Sequence, residues 1–131
     1  MNTFRVRLLA TDRGEAIDGV ASFVGEDASG SFGLMARHVR FMTVLTFGLT
    51  RLTLADGSRQ YVGLPGGLLY FADNELRIST RRYLTGTDAT AIAATLAHEM
   101  LAEEQALALT RQKLQRLEAE MLQRMAQLEG E

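Results

Sequence analysis

Apolar and charged residues alternate through Phe4-Arg5-Val6-Arg7-Leu8, which predicts a strand with one face buried and both arginines pointing outward. Short apolar or alternating runs predict further strands at 17–24, 31–34, 44–47, 49–54, 60–64, 68–71 and 75–80. Turn residues separate them. Asp56-Gly57 tolerates positive φ and predicts a hairpin that returns 60–64 beside 49–54. Pro65-Gly66-Gly67 breaks the ladder, and Asp73-Asn74 supplies another turn. Beyond Gly86 the period changes. Ile92, Leu96 and Met100 fall four apart, Leu107 follows, and Leu114, Leu117, Met121, Met125 and Leu128 recur at three and four, which is a helical stripe. Residues 87–129 contain no glycine and no proline, while residues 1–86 hold Pro65 and eleven of the twelve glycines.

The fold class expected is therefore a mainly β N-terminal sandwich or flattened barrel over residues 1–86, followed by a C-terminal α-helical arm over 87–131. The β-domain is expected to fold alone. Thr87 or Asp88 can cap the first turn of the arm. An unbroken helix of 43 residues reaches about 65 Å, so the arm is either a helix hairpin turning near Glu103-Glu104-Gln105 or a long extended helix. Its stripe carries more apolar surface than a free helix is expected to leave in water, which predicts a covering surface.

Composition narrows the classes. With 131 residues, 47% hydrophobic and 23% charged, the chain suits one soluble core, and no apolar run approaches a bilayer span. Met1 to Ala10 forms no apolar block of the secretory kind, so the expected location is cytoplasmic. The absence of cysteine excludes disulfides, thiolate catalysis and cysteine-ligated zinc. A net charge of −2 argues against a nucleic-acid partner. The arm is polarised, because its four bases, Arg111, Lys113, Arg116 and Arg124, all lie in its second half.

Catalytic and metal sites are expected to be absent. His98-Glu99 opens like a zinc-protease helix, but Ala102 stands where the second histidine is needed. The glycine spacing over 25–31 mimics a phosphate loop but lacks its lysine. His38 and His98 have no recognisable nucleophile motif beside them, which favours a structural or interface role for both. Arg81-Arg82 reads as solvated charge ahead of a phosphate grip.

The order of motifs Ser29-Gly30-Ser31-Phe32-Gly33-Leu34, then His38, then Leu45-Thr46-Phe47-Gly48-Leu49, then Gly66-Gly67-Leu68-Leu69 resembles the ε subunit of F-type ATP synthases over nearly the whole chain. The resemblance implies a non-catalytic central-stalk subunit whose partners are the γ subunit, the membrane rotor ring and the catalytic head. It implies a peripheral position on the cytoplasmic face of the membrane, held only through the complex. Carried over by position, Ser29, Gly30, Ser31, Phe32 and Gly33 resemble the loop facing the rotor ring, and His38 resembles the γ-contacting region. Arg111, Lys113, Arg116 and Arg124 become the regulatory contacts of an arm that restrains ATP hydrolysis. The chain departs from the family at Met35-Ala36-Arg37, where a proline usually precedes the histidine. It also has no arginine or lysine between Arg82 and Arg111, so no nucleotide site and no cofactor is expected. Its divergent arm looks like that of the alternate F-type ATPases, some of which are thought to pump sodium. The competing reading is a homodimeric adaptor whose arms pair as a coiled coil, with Thr110, Arg111 and Arg124 interrupting the seam.

Overall fold

A computed structural model describes residues 2–129. Nine strands precede one helix: β1 Phe4–Leu9, β2 Gly14–Asp27, β3 Gly30–Met35, β4 Phe41–Leu45, β5 Gly48–Leu54, β6 Arg59–Leu64, β7 Gly67–Ala72, β8 Glu75–Ser79, β9 Leu84–Gly86 and α1 Ala89–Glu129. The expected β-sandwich followed by a helical arm is what the chain forms.

The long strand β2 organises the sheets. It pairs antiparallel with β1 through Gly14–Val20, with β3 through Ser22–Asp27 and with β5 through Val20–Val24. Strand order runs β1-β8-β7-β4-β2-β5-β6-β9, with β3 joined to β2 off that path. Because β1 pairs with both β8 and β2, five strands close into a ring, and the β1–β8 pairing is parallel while the others are antiparallel. Gly19, with φ of 70°, sits between Ile17 and Val20, where the register of β2 against β1 slips, and such a bulge bends one strand so that it serves both layers.

Alternation fills the core as its period requires. Phe4, Val6 and Leu8 of β1 are buried, as are Leu69 and Phe71 of β7 and Leu76 and Ile78 of β8. Phe4 meets Phe71 edge to face, with centroids 5.5 Å apart, an arrangement the ring quadrupoles favour. Thr50, the buried polar side chain, donates its hydroxyl to Val62 O at 3.0 Å and so avoids the cost of an unmet donor.

Strand boundaries differ from the sequence reading in three places. β4 covers Phe41–Leu45 and stops before Phe47, because Thr46 leaves the ladder to donate both its N–H and its hydroxyl to Glu26 O. β2 starts at Gly14, since β1 gives its early residues a partner that sequence alone does not reveal. β9 was not expected; it exists by pairing Leu84–Gly86 with Tyr61–Gly63.

The first compact unit extends through Ala97, and His98 opens a second that is helical. Asp88 caps α1, accepting the Ala91 N–H on Oδ1 at 3.2 Å. Of the two arm geometries expected, α1 is one uninterrupted helix, with no hairpin at Glu103-Glu104-Gln105. Within the chain itself, Ile92 and Leu96 are buried, whereas Leu107, Leu114, Leu117, Met121, Met125 and Leu128 are each more than half exposed. A sequence dense in Ala, Leu, Glu, Gln and Arg closes its own backbone hydrogen bonds at every turn, so it stays helical without packing.

Candidate docking surface

Strands β4, β7, β8 and β1 turn one face into the core, and their outer face is unusually apolar. Registers align the outward residues in rows across the four strands. Val44 pairs with Leu68, Leu68 with Ser79, and Ser79 with Leu9. Met42 pairs with Tyr70, Tyr70 with Arg77, and Arg77 with Arg7. Val44 is 65% exposed, Met42 59%, Leu68 45% and Leu9 41%, so four large apolar side chains share one open sheet face. Leu9, Met42 and Leu68, with Tyr70, Arg77 and Ser79, line a shallow depression on it. Contiguous apolar surface of this kind marks a site of association more often than an ordinary exterior.

Charge closes one end of the face. Glu75 Oε1 accepts from Arg77 Nε at 2.7 Å and from Arg7 Nε at 3.3 Å, and Arg77 followed by Arg7 holds the Glu75 carboxyl below the usual carboxylate range. Arg5 beside it pairs with Asp18 at 2.6 Å. An apolar centre with a charged rim is the anatomy of a protein-binding patch.

The loop residues singled out by sequence lie at two ends of β3. Ala28 and Ser29 form the β2–β3 turn and Gly30 opens β3; Asp27 Oδ1 accepts the Ser29 N–H at 2.9 Å and its hydroxyl at 2.5 Å. Thr43 donates to Asp27 Oδ2 at 2.7 Å, which ties this turn to β4. Those hydrogen bonds, Ser29 first and Thr43 second, lower the Asp27 carboxyl. Gly30 has φ of 122° with open space beside it, so backbone conformation explains this glycine. Ser31 and Gly33 are exposed, and a Cβ on Gly33 would make only ordinary contact with Phe23 O at 3.7 Å. Phe32 faces inward instead, half-buried against Phe23 and Phe41. It is therefore a core residue more than a docking residue.

His38 sits beyond the other end of β3, about 20 Å of strand away from the turn. Its ring is exposed, its Nδ1 lies 2.7 Å from Val39 O, and it packs edge-on against Phe41 and Phe71. A neighbouring device replaces the missing proline: Arg37 takes φ of 64° and donates its N–H to Asn74 Oδ1 at 2.8 Å, while Asn74 Nδ2 reaches Thr3 O. Met35 and Val39 extend exposed apolar surface around the histidine. Arg111, Lys113, Arg116 and Arg124 are all exposed on the second, helical unit.

Sequence reasoning missed Met42, Val44, Leu68 and Leu9. The signal was present in Phe41-Met42-Thr43-Val44-Leu45, where apolar residues occupy both faces of one strand although an edge of the fold has only one core. Among the described residues no group of three His, Asp or Glu is placed to hold a metal, and no helix is long and apolar enough to cross a membrane.

Residues 3–86 match the family described as "ATP synthase, Delta/Epsilon chain, beta-sandwich domain", the same span that forms the nine strands. The chain belongs to the ATP synthase delta/epsilon family. Its similar relatives in that family include "ATP synthase epsilon chain 2" of Cereibacter sphaeroides, 33% identical over 103 residues that cover 78% of this chain and 70% of the relative. The "ATP synthase epsilon chain" of Polaromonas naphthalenivorans is 31% identical over 105 residues, covering 79% and 75%. Among solved structures, a chain of the Euglena gracilis mitochondrial ATP synthase (OSCP/F1/c-ring, rotational state 1) superposes with a TM-score of 0.58 at 22% identity, over 79% of this chain and 62% of that one. A chain of the Tetrahymena thermophila mitochondrial ATP synthase central stalk and c-ring gives 0.52 at 17%, over 61% and 64%. This chain thus spans less than two thirds of either solved chain, and at these identities the likeness is one of fold.

Proposed function

We propose that the chain is a non-catalytic central-stalk subunit that couples the γ subunit to the membrane rotor ring and restrains ATP hydrolysis through its arm. The observation that carries this reading is the open apolar face of Leu9, Met42, Val44 and Leu68 on a β-domain of the epsilon type. We assign that face, and separately the surface of His38, Met35 and Val39, to γ. Ser29, Gly30, Ser31 and Gly33, a rigid and sterically open hairpin, are assigned to the rotor ring; Phe32 supports them from within.

Restraint follows from the arm. A helix that keeps Leu114, Leu117, Met121, Met125 and Leu128 in water gains by covering them, and Arg111, Lys113, Arg116 and Arg124 suit acidic segments of the catalytic head. The complex that buries this stripe is the state that resists rotation. Steady-state ATP hydrolysis by the reconstituted complex tests it. Removal of residues 98–131 is expected to leave assembly intact and to raise hydrolysis; an unchanged rate with full assembly would remove the inhibitory role and leave the coupling one.

A further inference from the structure

We infer that the arm has a fixed root: Ile92 and Leu96 lock the first two turns of α1 into a notch that Gly63 and Gly86 leave in the sheet, so any rearrangement of the arm begins after Ala97 and not at Gly86. Gly63 lies in β6 and Gly86 in β9, on adjacent strands. A Cβ on Gly63 would stand 2.7 Å from Ile92 Cγ2, closer than real side chains approach, and one on Gly86 would stand 3.2 Å from Ile92 Cδ1. Neither glycine has the left-handed backbone that marks Gly19, Gly30, Gly48, Gly57 and Gly66. What both supply is space. Leu96 completes the seat, its Cδ2 lying 3.5 Å from the Gly63 Cβ position and Leu49 Cδ2 at 3.4 Å.

Full burial ends with that seat. Ile92 is 7% exposed and Leu96 1%; Glu99, Met100 and Glu103 further along the same helix are half-buried, and Leu107 is 57% exposed. The Asp88 cap fixes where the helix starts, and the compact unit ends at Ala97. Helical turns held by packing open only with the domain that holds them, while turns held by backbone hydrogen bonds alone open locally and often. The root therefore behaves as part of the β-domain, whatever the arm beyond it binds.

Hydrogen–deuterium exchange on the full chain tests this. Amides 93–97 are expected to exchange at least about tenfold more slowly than amides 105–122. Gly63→Ala is expected to abolish that difference while β1, β7 and β8 stay protected. If Gly63→Ala loses its β-type circular dichroism, the pair Ile92→Ala and Leu96→Ala empties the same notch from the helix side without lowering helix propensity, and is read in the same way. Equal exchange across 93–122 in the unaltered chain overturns the inference, as does a protected root in whichever variant folds.

Discussion

Gly67 has no room for a side chain, because a Cβ there would lie 2.6 Å from the backbone oxygen of Ser79. Backbone cannot step aside as a flexible side chain can, so Gly67→Ala is expected to lower stability by about 1–3 kcal/mol, measured by urea unfolding. Asp27 offers a test by pH. Its carboxyl is lowered from an ordinary 3.8 by hydrogen bonds from Ser29 and Thr43. A carboxyl lowered by folding adds stability that is present above its unfolded value and lost as pH falls through the folded one. Asp27→Asn is therefore expected to flatten the fall in melting temperature between about pH 5 and about pH 3. Asp56 and Glu75, lowered in the same direction, keep part of the slope, so the variant should differ from the parent in degree. An identical slope would mean that the Asp27 bonds do not persist in solution.

Strands β4 and β7 carry the exposed apolar face, and their outward residues can be changed without entering the core. Val44→Asp with Leu68→Asp is expected to leave circular dichroism and melting nearly unchanged while abolishing co-purification with the stalk. Retained assembly would move the docking surface elsewhere. How much of this was legible depended on how local the determinants are. The Asp56-Gly57 and Asp73-Asn74 turns were readable because the residues that need positive φ, Gly57, Asp73 and Asn74, lie within the turns themselves. β9 was not, since Leu84-Thr85-Gly86 is too short to alternate and is a strand only because Tyr61–Gly63 runs beside it. Met35-Ala36-Arg37 before His38 departs visibly from the family pattern, but its replacement, the Arg37 to Asn74 bond, joins residues far apart in sequence. The docking face was half visible: its residues are apolar in the sequence, but which of them face outward is decided by four-stranded register.

At the scale of the whole molecule, the exposed bases of the arm predict a graded effect. Replacing Arg111, Lys113, Arg116 and Arg124 together by alanine is expected to raise ATP hydrolysis of the complex less than removal of 98–131 does, and the difference should shrink as salt rises, because exposed ion pairs are individually weak and screened. Calorimetry with ATP on the isolated chain is expected to show no saturable binding at micromolar levels, since no arginine or lysine lies between Arg82 and Arg111 to meet its phosphates. Salt-independent activation by the four-fold variant would point to a packing role for these side chains.

The parallel seam between β1 and β8 sets a condition on how the chain acquires its shape. Arg5 pairs with Glu75 and Leu9 with Ser79, so the first strand to leave the ribosome cannot complete its pairing until the eighth has been made. Contacts of such long sequence separation must bear the entropy of closing a large loop before they stabilise anything. Refolding is therefore expected in the millisecond-to-second range, and stopped-flow measurement should find that Leu76→Ala accelerates unfolding far more than it slows folding, as befits a seam that forms last.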